Sequence, residues 1–60
     1  MLRIHVPDNA EITLYTLSGL KILNRELRAG INVLNLNVPT GGYLVRVEIN
    51  NQVYSRKILK

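Results

Sequence analysis

The sequence contains no cysteine. Disulfides, thiolate metal sites and cysteine nucleophiles are therefore excluded, and cysteine usage says nothing about redox compartment. A single histidine, His5, has no second imidazole with which to share a metal. It falls on the polar side of an alternating segment and reads as a surface residue. Aromatic residues are scarce: there is no Trp or Phe, and only Tyr15, Tyr43 and Tyr54. A sheet that binds nucleic acid needs aromatic faces interleaved with its basic charge. Two of the three tyrosines read as core, so nucleic acid is not an expected partner. No apolar run approaches the roughly 20 residues of a membrane-spanning helix, and membrane insertion is not expected. No charged start followed by an apolar stretch reads as a signal peptide. Acidic residues number four against eight lysines and arginines, a net charge of +4. That balance suits an anionic partner such as lipopolysaccharide or an acidic protein surface, and equally a well-solvated small domain.

Sixty residues make at most one domain. A chain of this size buries only about 60% of the surface its unfolded form exposes. The pattern along it is one of short alternating runs cut by turn residues every eight to twelve positions, the habit of an all-β sandwich or barrel. Leu2, Ile4 and Val6 share one face of a first strand, and Pro7-Asp8-Asn9 turns the chain. Ala10 to Leu17 is a second strand. Its apolar residues fall on both faces, which predicts a central position. Ser18-Gly19 is the next turn.

Leu20 to Leu27 is open to two readings. Leu20, Leu23 and Leu27 fit a helical stripe with Ser18 as cap and Gly30 as stop. Such a helix would have about two turns and little stability of its own, so the extended reading is preferred. Arg28-Ala29-Gly30 turns again. Leu34, Leu36 and Val38 then share one face of a strand running from Ile31 to Val38. Pro39-Thr40-Gly41-Gly42 leads into a terminal hairpin.

In that hairpin Tyr43, Val45, Val47 and Ile49 fall on one face. Asn50-Asn51 suits a two-residue type I′ turn, because Asn tolerates positive φ. That turn sets Val47 opposite Tyr54 and Tyr43 opposite Ile58, pairs that stabilise a hairpin. It also sets Arg56 opposite Val45 on the apolar face. A three-residue loop through Gln52 is the alternative. The expected core is Ile4, Leu14, Leu34, Leu36, Tyr43, Val45 and Val47.

Groups that might carry chemistry are few. Asp8 and Glu11 lie close enough in sequence to suggest a carboxylate pair, yet bonding its own turn backbone is role enough for Asp8. Ser18 lacks the G-x-S-x-G setting of a nucleophile elbow. Gly41-Gly42 precedes a strand rather than a helix, so no helix N-terminus waits there for a phosphate. No catalytic, metal or cofactor-binding residue is assigned, and no enzyme activity is expected.

The order AEITLYTLSGLKIL, then LRAGINVLNLNVPTGGYLVRVEINNQVYSRKILK, resembles the C-terminal sorting domain of the type IX (Por) secretion system of Bacteroidetes. The resemblance is carried by Tyr15 with Gly19, by Gly30-Ile31-Asn32, by Val38-Pro39-Thr40-Gly41-Gly42-Tyr43, and by the closing Lys57-Ile58-Leu59-Lys60. No one motif is specific, but their order and spacing are. The chain departs from the family in lacking the Pro-Asn-Pro strand that usually precedes the segment matching Leu2 to Val6.

The resemblance implies an immunoglobulin-like sandwich of about six antiparallel strands, one sorting domain over residues 1–60, cut from a larger secreted protein. It implies a cargo that passes through the periplasm and is then carried by an outer-membrane translocon to the cell surface or beyond. A sortase-like surface protease would remove the domain and join the cargo to lipopolysaccharide. Tyr54, Arg56, Lys57, Ile58, Leu59 and Lys60 would meet the translocon. Tyr15, Gly19, Gly30, Pro39, Gly41 and Tyr43 would be structural. An edge left open by the missing strand would favour a homodimer of the fragment. The competing reading is an immunoglobulin-like accessory module that binds glycan or protein. A sorting domain should end its precursor, as this chain's closing strand suggests. An accessory module can sit anywhere.

Overall fold

Asn50 and Asn51 have φ values of 49° and 62°, both in the left-handed region that a type I′ turn requires. The two-residue turn fixes the register of the last two strands as expected: Val47 faces Tyr54, Tyr43 faces Ile58 and Val45 faces Arg56. A computed structural model describes residues 2–60 of the chain. Its strands are β1 (Leu2–Val6), β2 (Ala10–Thr16), β3 (Lys21–Leu27), β4 (Gly30–Leu34), β5 (Gly42–Ile49) and β6 (Gln52–Leu59). All pairings are antiparallel. β1 and β4 form a small sheet, and β3-β2-β5-β6 form a larger one. This is the all-β, sandwich-like, six-strand fold expected.

Leu20 to Leu27 is extended and not helical, with β3 pairing along β2 from Ala10↔Leu27 to Tyr15↔Lys21. The turn between them is held by the Gly19 N–H on the Thr16 carbonyl at 3.0 Å and by the Thr16 N–H on the Leu20 carbonyl at 2.8 Å. Gly19 has φ 96°, a conformation costly for any residue with a Cβ. β2 is bonded on both sides, to β3 and to β5, as its two-faced apolar pattern predicts.

The core is centred on β2. Val6, Ile12, Leu14, Leu27, Tyr43 and Val45 are buried, and Leu2, Ile4, Leu34, Leu36, Val47 and Ile58 lie half-buried against them. Of the expected core, Leu14, Tyr43 and Val45 are buried, while Ile4, Leu34, Leu36 and Val47 are half-buried. Val6, Ile12 and Leu27 were not among the expected core. They come from β1, β2 and β3 and share one buried cluster, a juxtaposition that only the tertiary fold creates.

The fourth strand is shorter than its pattern. It ends at Leu34, not Val38; its described pairing with β1 runs from Val6↔Gly30 to Leu2↔Leu34. Leu36 and Val38 nonetheless remain half-buried while Asn35 and Asn37 are exposed. Alternation in sequence records which side chains point inward, and that persists after the backbone has left the ladder.

Candidate functional site: the terminal hairpin and its tail

β6 is an edge strand, bonded to β5 alone. Seven of its eight residues are exposed, and only Ile58 is half-buried, so the strand presents nearly all its side chains to solvent. The register divides them between two faces. Tyr54, Arg56 and Ile58 lie on the side of Tyr43, Val45 and Val47, facing inward. Val53, Lys57 and Leu59 lie on the outer side with Leu44 and Glu48. The tail residues expected to act together are thus split across the sheet. Leu59 is the most exposed large apolar side chain among the described residues, at 84%.

Lys60 is held in place. Its backbone N–H donates to the Gly41 carbonyl at 2.9 Å, and the Gly41 N–H donates back at 3.2 Å. Its ammonium donates to the carbonyls of Leu36 and Val38, each at 2.6 Å. Two of its three donors therefore serve the segment that follows β4. Tyr43 works on the same segment from inside. Its ring is buried and its hydroxyl donates to the Pro39 carbonyl. The loop before the hairpin and the tail after it are tied to each other.

One neighbour of the tail was not legible as such in the sequence. A Cβ placed on Gly42 would stand 2.9 Å from Leu17 Cδ1 and 3.7 Å from Leu59 Cδ2. Leu17, 58% exposed, therefore folds over the glycine beside Leu59. The only signal was Gly42 itself, since a strand glycine often marks a close approach. Asn32, one of the residues that carry the family resemblance, acts within its own turn. Its Oδ1 accepts from the Arg28 N–H at 3.1 Å, and its Nδ2 donates to the Arg28 carbonyl at 2.8 Å. It closes the turn between β3 and β4, in which Gly30 has φ 109°.

The remaining singled-out residues are placed as follows. His5 is exposed on β1, opposite Ile31. Asp8 Oδ1 accepts from the Asn9 N–H at 2.8 Å, within its own turn. Ser18 Oγ is 2.9 Å from Thr16 Oγ1 and stays within its turn. Glu11 lies between Glu26 and Glu48 across three strands. Among the described residues no group of acidic, His or Cys side chains is arranged to hold a metal. Tyr15 is half-buried on the outer face opposite Leu44. Its hydroxyl, and then the Glu48 carboxylate at 2.8 Å, hold the Arg46 guanidinium above its ordinary pKa.

A family model for the secretion system C-terminal sorting domain matches residues 1–60. The chain belongs to this family. No curated protein and no solved structure matches it. The family is one of type IX sorting signals and not of enzymes, and a sorting domain of this kind implies interaction with that secretion machinery. It also implies export to the cell surface or the extracellular space. On this sorting domain the motif positions occupy the turns and tethers already described: Gly19 and Gly30 at positive φ, Pro39 and Tyr43 in the loop tether, and Gly41 paired with Lys60.

Proposed function

We propose that the outer-membrane translocon reads this sorting domain through its terminal hairpin. The observation that carries the reading is the exposure of β6 at a sheet edge. An edge strand offers unpaired backbone donors and acceptors to a partner. Tyr54, Arg56, Lys57 and Leu59 add side chains to that edge on both faces, while Ile58 and Lys60 keep the strand in register against Tyr43 and Gly41. In this reading residues 1–60 are one sorting domain carried on a larger cargo protein. The cargo crosses the periplasm with the domain folded and is delivered to the surface. A sortase-like protease then removes the domain, and anionic lipopolysaccharide takes its place on the cargo.

The test is a periplasmic reporter carrying this segment at its C-terminus in a bacterium with an active type IX system. Deleting Lys57 to Lys60 is too coarse by itself, because it also removes Ile58 from Tyr43 and Lys60 from Gly41, Leu36 and Val38. Lys57→Glu with Leu59→Ser is cleaner, since both side chains are exposed. Export should be lost while the reporter stays folded in the periplasm. The combined substitution of Arg3, Lys21 and Arg28, remote from the hairpin in sequence, should change export much less. Normal export of the Lys57→Glu, Leu59→Ser variant would remove these residues from the signal. Loss of export by the remote triple variant alone would move the signal to another face.

A further inference from the structure

The two sheets do not cover each other equally. β1 and β4 contribute Val6, Ile4 and Leu34 to the shared core, but beside β1 an open groove of about 710 Å³ runs to β6. Ile4 lines one wall, and Val47, Tyr54 and Ile58 line the other. Nothing from β4 borders the groove, so it flanks the edge of β1 that has no strand partner among the described residues. The backbone there has unmet donors and acceptors, and the floor is the uncovered inner face of β6, with Tyr54 56% exposed. Arg3 and Arg56 also line the groove, and no acidic residue does. Neither guanidinium has a hydrogen bond or ion pair among the described residues.

We propose that this groove binds an extended, acidic polypeptide segment of a second protein, added as a third strand to β1. Strand addition satisfies the β1 edge with main-chain bonds, and alternate side chains supply the specificity. Apolar side chains of the added strand lie on Val47, Tyr54 and Ile58. A carboxylate among them meets Arg56, the one charge the hairpin places on its inner face. A second copy of the chain fits this groove poorly. Its edge strands β1, β4 and β6 carry no acidic residue, and Glu26, the one acidic residue of edge strand β3, directly follows Arg25 and stands two residues before Arg28. This surface shares Tyr54 and Arg56 with the hairpin assigned above to the secretion machinery, but it adds the β1 edge, and it is measured without that machinery.

The probe is a blocked peptide, Thr-Val-Thr-Glu-Thr-Val-Thr, titrated into the isotopically labelled 60-residue domain at a concentration where light scattering reports a monomer. Amide shifts should concentrate at Leu2 to Ile4 and at Tyr54 to Arg56. Replacing the peptide's glutamate by lysine should weaken binding roughly threefold or more, and added salt should narrow that gap. Arg56→Glu, at an exposed position, should reverse the preference in favour of the lysine peptide. Absence of shifts at β1 would overturn the proposal. So would equal affinity for both peptides, or the same β1 shifts produced by raising the domain's own concentration, which would seat a second copy in the groove.

Discussion

β2 and β6 belong to one sheet, separated only by β5, and their fates are opposite. Ile12 and Leu14 on β2 are 2% and 1% exposed, whereas Tyr54 on β6 is 56% exposed. Both strands carry apolar residues on both of their faces. The difference lies in what stands across from each. β2 has a ladder on both sides and Val6 of the small sheet in the same core. β6 has one ladder and an open groove above it. A small sheet of two strands cannot cover a sheet of four, so one side of the sandwich holds the fold together and the other is left to make contacts. This also explains Arg56 on the inner face opposite Val45. A charge is tolerated there because solvent reaches it; buried and unpaired it would be costly.

The largest effect should come from the covered side. Leu14→Ala removes the most deeply buried side chain of the core and should cost about 2–5 kcal/mol. A domain of this size has a total stability of only about 3–9 kcal/mol, so the variant should be largely unfolded in urea titrations that leave the parent intact. A loss under about 1 kcal/mol would mean that the core is not centred on β2.

Next comes Gly30→Ala. A Cβ at Gly30 would meet nothing within 4 Å, so any loss is one of backbone conformation at φ 109°. The expected cost is about 1–3 kcal/mol. Thermal unfolding of this variant beside an alanine at exposed Ala29's neighbour Arg28 separates the backbone effect from simple truncation. Equal midpoints for the two would show that the turn relaxes without strain.

Tyr43→Phe should be milder still. It keeps the buried ring and deletes only the hydroxyl bonded to the Pro39 carbonyl. A single such bond contributes about 0.5–1.5 kcal/mol. The sharper readout is hydrogen exchange. Amides after β4 should exchange faster in the variant, while those of β2 and β3 should be unchanged. Faster exchange throughout would mean that the ring and not the hydroxyl had been disturbed.

Much of this was legible in the residues. Alternation with turn chemistry placed every strand, and Asn50-Asn51 set the hairpin register because few residue pairs tolerate two successive positive φ values. The order of motifs named the family. What could not be read was coverage. Ile12, Val6 and Leu27 meet only after the small sheet folds over the large one, and no local period reports that. Tyr54 looked as apolar as Tyr43, yet the two differ by what lies above them. The partner of β4 was hidden for a related reason, since Leu34 pairs with Leu2, 32 places away in sequence, and no local period reports that. Lys60 read as a projecting charge. Its ammonium lies instead on two carbonyls of a loop more than twenty residues earlier.

The smallest expected effect is at Leu59, and it isolates the comparison most cleanly. Leu59 and Leu14 are the same residue type in the same sheet, one 84% and the other 1% exposed. Leu59→Ser removes little buried apolar area, because most of the side chain is already in solvent. The stability change should therefore stay within about 0.5 kcal/mol, the range of ordinary surface substitutions. Urea midpoints of the parent and the variant should coincide. If they do and export of a fused reporter nevertheless falls, Leu59 serves recognition and not folding. If instead the midpoint drops as it does for Leu14→Ala, the outer face around Leu17 and Leu59 is a second core, and the division of the sandwich into a holding side and a contact side fails.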